Sequence, residues 1–64
     1  MKVISEIEIG NFKILNLDSN KPDHIYTKYV IDGQEYDIVP MRESNNHIAV
    51  KSKENFIGKC VSFE

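Results

Sequence analysis

The chain has 64 residues, of which 41% are hydrophobic and 28% are charged, and its formal net charge is −2. This length predicts a single domain, residues 1–64, with a small core, and a charge so close to zero singles out no class of partner. No apolar run has the length of a secretory leader or a membrane span, so we expect a cytoplasmic protein without membrane association.

Two runs of alternating apolar and polar residues open the chain, Val3–Ile9 and Phe12–Leu17, with a Gly-Asn pair between them. Glycine followed by asparagine at this place predicts a tight hairpin of type II′. Its register puts Glu8 opposite Lys13 as a cross-strand ion pair. Farther from the turn the apolar residues change face, which predicts a bend or bulge in the strand.

The central hairpin is the strongest structural signal in the sequence. After a polar connector, Asp32 and Gly33 separate two further alternating runs. An Asp-Gly pair between such runs predicts a type I′ turn, because this turn needs positive φ at both residues. The two-residue loop places Lys28 opposite Asp37 as a second cross-strand ion pair. We expect the ladder to extend to Val39, which would lie opposite Tyr26.

The last third of the chain contains two short strands and a turn. After a polar loop, the pattern of residues 47–51 predicts a strand, and that of residues 59–64 predicts another. Between them, residues 52–57 have the composition of a single helical or 3₁₀ turn. Ser52 caps its start in this interpretation, and Gly58 is the left-handed residue that ends it.

Six short strands spaced about 8–12 residues apart predict an all-β fold. We expect a single small antiparallel barrel of five or six strands, SH3-like or partly open, because a two-sheet sandwich is thin at this length. Most of the core is expected to come from apolar residues of the strands: Ile7, Ile9, Phe12, Ile14, Ile25, Tyr29, Ile31, Tyr36, Ile38, Ile48, Val50, Val61 and Phe63.

The residues that could carry chemistry are few. Cys60 is the single cysteine, so neither an intrachain disulfide nor a CxxC metal site can form. One alternative is a nucleophile pair of Cys60 with His47, but free cysteine is often a small core residue, and we favour that interpretation. Asp23 and His24 could join them only in a spacing that matches no known zinc site. We expect no enzyme, no metal, no cofactor and no small-molecule substrate.

Two function classes remain. We favour a small interaction module, a protein-binding or self-associating accessory protein, because aromatic and apolar residues share the outer face of the central hairpin with basic ones. The alternative is a small barrel that binds single-stranded nucleic acid through tyrosines and lysines, against which the negative net charge counts. The candidate binding residues are Tyr26, Lys28, Val30, Val39, Met41, Arg42, Lys51 and Lys53.

Overall fold

The computed structural model describes residues 1–40 and 45–64, and these residues form six strands. The strands are β1 (Val3–Ile9), β2 (Phe12–Leu17), β3 (Lys28–Ile31), β4 (Gln34–Asp37), β5 (His47–Val50) and β6 (Val61–Phe63). They build two antiparallel sheets, sheet 1 in the order β1-β2-β5 and sheet 2 in the order β4-β3-β6. The prediction of an all-β antiparallel fold is confirmed. Within the described residues, no helix has the length and hydropathy needed to cross a membrane.

The predicted single barrel is not what these strands form. In the part of the chain that the structure describes, the two sheets are joined only by isolated bridges, from Lys2 to Cys60 and from Val39 to Ala49. A barrel needs a continuous hydrogen-bonded ladder at every seam between strands. No such ladder joins sheet 1 to sheet 2 among the described residues, so two small sheets share a core instead.

The central hairpin has the predicted turn. Asp32 and Gly33 have φ values of 52° and 84°, which are the two positive angles that a type I′ turn requires. Lys28 lies opposite Asp37, and its ammonium donates a hydrogen bond to that carboxylate, as predicted. The expected extension of the ladder to Val39 is wrong, because Val39 bridges β5 of the other sheet.

The first hairpin also has the predicted register, with Ile9 opposite Phe12. A bulge between Val3 and Ser5 confirms the predicted irregularity of β1. The bulge turns Val3 into the core, where it is fully buried. The bulge thus places Val3, and not Ile4, opposite Leu17 on the inner face, since Ile4 is 55% exposed.

Most errors in the predicted core lie in the first hairpin (β1 and β2), whereas the core residues expected from β3, β5 and β6 are buried or pack against the core. Tyr29, Ile31, Ile48, Val50 and Val61 are buried as expected, and Tyr36, Ile38 and Phe63 pack against them. In contrast, Ile7, Ile9, Phe12 and Ile25 are exposed, and Ile14 is only half-buried. The buried residues missing from the predicted core are Val3, Leu15, Leu17, Ala49 and Phe56.

The pairing of β2 with β5 explains this correction. Leu15 lies opposite Ile48, so both side chains occupy the same face of sheet 1. Both are completely buried, which makes this the inner face. Ile14 lies on the opposite face by alternation, together with its β1 partner Ile7. The first hairpin has apolar residues on both faces. Its pairing with β5, which is distant in sequence, determines which of the two faces is buried.

The predicted helical turn at residues 52–57 is wrong. The hydroxyl of Ser52 accepts a hydrogen bond from the backbone N–H of Glu54 at 3.1 Å, and the Asn55 side chain accepts one from the N–H of Ile57 at 3.0 Å. These local bonds stabilise turns in place of a helix. The segment is an irregular run of bends and turns, and its Phe56 side chain is fully buried in the core. Gly58 has the positive φ that was predicted, 84°.

Candidate interaction surface

The outer face of sheet 1 carries a contiguous set of apolar side chains. Ile7 and Ile9 of β1 lie directly opposite Ile14 and Phe12 of β2. Ile7, Ile9 and Phe12 are 63%, 59% and 37% exposed. Isolated apolar residues are normal on a protein surface, whereas adjacent ones form a patch that binding can cover. We call these four residues the apolar face.

The apolar face ends at an unpaired strand edge. β1 is the terminal strand of sheet 1, and its outer side is occupied only near its start. There Val3 donates its N–H to the carbonyl of Lys59 at 3.1 Å and accepts the N–H of Gly58 at 2.8 Å. Beyond the bulge, no backbone group of the described residues pairs with the outer side of β1 at Glu6–Ile9. We call this stretch the free edge.

Two glutamates alternate with the isoleucines along the free edge, on the opposite face of the sheet. The Glu6 carboxylate accepts hydrogen bonds from the Lys13 ammonium at 2.5 Å and from the Phe56 N–H at 2.8 Å. The Lys13 hydrogen bond holds the pKa of Glu6 below its ordinary value. Lys13 also donates to the carbonyl of Glu54. The predicted pair of Lys13 with Glu8 is therefore wrong, and Glu8 has no ion-pair partner among the described residues.

The polar cluster under β1 extends to sheet 2. The Tyr36 hydroxyl donates to the Glu54 carboxylate at 2.8 Å, and the Tyr36 ring meets the Phe56 ring edge to face, with centroids 5.5 Å apart. Burial and the nearby Glu54 carboxylate raise the pKa of Tyr36 to about 12. Every polar group of this cluster is engaged in holding residues 54–56 against both sheets. Its arrangement is that of a structural joint.

A groove of about 340 Å³ opens beside the apolar face, at the seam between β4 and β5. Its lining consists of Phe12, Glu35, Tyr36, Asp37, Val39 and Lys51. Phe12 belongs to both the groove and the apolar face, so the two surfaces are continuous. The groove carries charges of both signs, in contrast to the apolar face.

Three of the predicted binding residues lie on or beside sheet 2. Tyr26 is half-buried and packs on the core, with its ring centroid 4.7 Å from that of Phe63. Lys28 is paired with Asp37. Val30 is half-buried on β3. Lys28 and Val30 lie opposite Asp37 and Glu35, two residues that line the groove.

The remaining predicted residues are divided between the groove and the loops. Val39 and Lys51 line the groove together. Lys53 is exposed in the segment after β5. Met41 and Arg42 lie outside the described residues.

The sequence interpretation placed Ile7 and Ile9 in the core and missed their exposure. The available signal was the presence of apolar residues on both faces of the first hairpin, since a small domain can bury only one face of an edge hairpin. The interpretation of Cys60 as a core residue is also wrong, because Cys60 is exposed. The backbone of Cys60 forms the β-bridge to Lys2.

Comparisons with known proteins did not place the chain in a family. No family model, no curated protein and no solved structure matched it.

Proposed function

We propose that this protein is a non-enzymatic interaction module that binds another protein through the apolar face and the adjacent free edge of β1. The observation that carries this proposal is the exposure of Ile7 and Ile9 beside Phe12, on a sheet whose other face already contains the core. Burying apolar surface contributes about 25 cal/mol per Å², so covering these side chains favours association. An unpaired strand edge beside them offers backbone hydrogen bonds to the same partner.

Nucleic-acid binding, the alternative from the sequence, has weaker support. A base needs an accessible ring to stack on. Tyr29 is only 3% exposed, and the rings of Tyr26 and Tyr36 contact Phe63 and Phe56. The net charge of −2 also lacks the basic character of a typical nucleic-acid interface. Affinity for a mixed oligonucleotide pool that falls steeply with salt would support this alternative over our proposal.

Site-specific photo-crosslinking in cells that produce the protein tests the proposal. A photoreactive phenylalanine replaces Ile9 in one variant and Asn20, an exposed residue of the connector between β2 and β3, in the control. We expect a discrete crosslinked product from position 9 and none from position 20. Equal products from both positions, or no product from either, would contradict the proposal.

A second variant separates binding from folding. Ile7→Thr combined with Ile9→Thr removes apolar surface from exposed positions, so each change should alter the free energy of unfolding by no more than about 0.5 kcal/mol. In a variant that also carries a photoreactive phenylalanine at position 12, these two substitutions should abolish the crosslink. Thermal unfolding should stay nearly unchanged. A crosslink of undiminished yield would show that the apolar face is not the binding surface.

A further inference from the structure

We infer that the free edge of β1 binds an extended segment of a partner protein in which apolar residues alternate with lysine or arginine. This inference rests on the proposed function and deepens it by naming the chemistry of the partner. It follows from three features of residues Glu6–Ile9: their backbone directions, their side-chain alternation and their charge.

The backbone of β1 offers hydrogen bonds at alternate residues. The two-residue turn makes Ile9 and Phe12 the hydrogen-bonded pair that closes the first hairpin. Bonding alternates along an antiparallel ladder, so Ile7 also bonds to β2, while the N–H and C=O groups of Glu6 and Glu8 point outward. An extended segment that pairs with these groups becomes the fourth strand of sheet 1.

The length of the free edge limits the contact. Gly58 and Lys59 already pair with Val3, and Phe56 meets the side chain of Glu6 from the inner side. The partner segment therefore has only about four residues of β1 to pair with, from Glu6 to Ile9. At about 3.3 Å per residue, the paired part of such a segment is about four residues long and spans about 13 Å.

Side-chain alternation assigns the two faces of the partner segment. Residues paired with Ile7 and Ile9 lie on the outer face and extend the apolar face, so apolar side chains fit there. Residues paired with Glu8 lie on the inner face, where the Glu8 carboxylate is exposed and has no cation among the described residues. A basic side chain fits that position, because Lys13 is already committed to Glu6.

A second copy of this chain is a poor occupant of the free edge. When β1 pairs antiparallel with its own copy about a two-fold axis, paired residues share a face, so in the registers that pair most of the free edge a glutamate meets a glutamate. Depending on the register, Glu8 faces Glu8 or Glu6 of the copy. Like charges directly opposite each other destabilise a strand pair, and edge strands commonly use charge to prevent such pairing.

Two matched peptides test the inference on the full chain. Each is a capped seven-residue peptide with valine at alternate positions, and the positions between are lysine in one and glutamate in the other. Amide NMR titrations at low and moderate salt report both the affinity and the binding site. We expect the lysine peptide to shift the amides of Glu6–Ile9 and to bind roughly fivefold more tightly than the glutamate peptide, with a preference that weakens in salt.

Charge reversal at the free edge provides the decisive variant. Glu8→Lys should reverse the preference, so that the glutamate peptide binds more tightly than the lysine peptide. Glu35→Lys is the matched control, because Glu35 is an exposed glutamate on β4, which has an outer edge of its own. The control should leave both the preference and the position of the shifts unchanged.

Specific outcomes overturn the inference. Equal affinities for the two peptides, shifts confined to β4, or an equal effect of Glu35→Lys would each do so. If the crosslink from position 9 is then still found on a partner protein, the proposed function stands without the inference. A crosslinked product of twice the mass of this chain would identify a second copy as the occupant and overturn the inference by itself.

Discussion

A buried lysine is the most unusual single residue in this protein. Lys13 is 6% exposed, although lysine is rarely buried unless it is paired. Its ammonium donates to the Glu6 carboxylate and to the Glu54 carbonyl. It therefore joins β1, β2 and the segment after β5. The second ion pair, Lys28 with Asp37, joins only two adjacent strands at the surface.

This contrast predicts different effects for the same substitution. Lys13→Met leaves the Glu6 carboxylate and the Glu54 carbonyl without their donor, so we expect the free energy of unfolding to fall by about 2 kcal/mol. Lys28→Met should cause a much smaller loss, because an exposed pair contributes little. Urea denaturation of both variants measures the difference. Equal losses of unfolding free energy would contradict the structural role of Lys13 in joining β1, β2 and the segment after β5.

Single residues with a backbone requirement were predictable from sequence. Asp32, Gly33 and Gly58 all have the positive φ that the turn chemistry demands. The partner of Lys13 was not predictable by the same means. Local pairing favoured Glu8, which lies directly opposite, but the burial of the side chain and the carbonyl of Glu54 draw it toward Glu6. That carbonyl comes from the distant end of the chain.

At the scale of elements, hydrogen bonds with Glu6 and Lys13 hold residues 54–57, which we call the strap, against β1 and β2. The carboxylate accepts the Phe56 N–H and the Lys13 ammonium, and the Lys13 hydrogen bond is the main reason that the pKa of Glu6 is lowered. A lowered carboxyl pKa means that the folded state favours the charged form. The strap is therefore expected to loosen when Glu6 is protonated.

The pH dependence of stability follows from this shift. The contribution of Glu6 is complete above the ordinary glutamate pKa of 4.5, and it is lost as the pH falls through the lower pKa of the folded state. The stability of the native protein should thus decrease more steeply below pH 4.5 than that of Glu6→Gln, which cannot titrate. Denaturation curves from about pH 7 to about pH 3 measure both slopes. Parallel slopes would contradict this role of Glu6.

Both hairpins were predictable from the sequence. The buried face was predictable only for the central hairpin. In the central hairpin one face is more apolar, and Tyr29 and Ile31 on that face are buried as expected. In the first hairpin, apolar residues occur on both faces, and local alternation cannot rank them. Contacts with β5 decided the question in favour of Leu15.

At the scale of the whole molecule, both sheets depend on one core cluster. Leu15, Leu17, Ile48 and Val50 of sheet 1 meet Tyr29, Ile31 and Val61 of sheet 2, and Phe56 packs with both groups. A chain of this size has only about 3–5 kcal/mol of stability from its core. The loss of a central side chain should therefore unfold the entire protein.

Two phenylalanines test this expectation. Phe56→Ala removes a fully buried ring and should cost about 3–5 kcal/mol, enough to leave the chain largely unfolded at 25 °C. Phe12→Ala removes the same group from the apolar face, where 37% of the residue is exposed, so the protein should remain folded. Amide NMR dispersion separates the two outcomes. A well-dispersed spectrum for Phe56→Ala would show that the core is not shared.

The sequence by itself determined the positions of the strands, the two tight turns and the register of both hairpins. These features depend on residues adjacent in the chain, where alternation and turn chemistry are sufficient. The tertiary structure decided which face of β1 and β2 is buried, which glutamate pairs with Lys13, and that residues 52–57 are irregular and not helical. Each of these depends on contacts with β5 or with residues 54–58, which lie far away in sequence. Only those contacts left Ile7 and Ile9 at the surface.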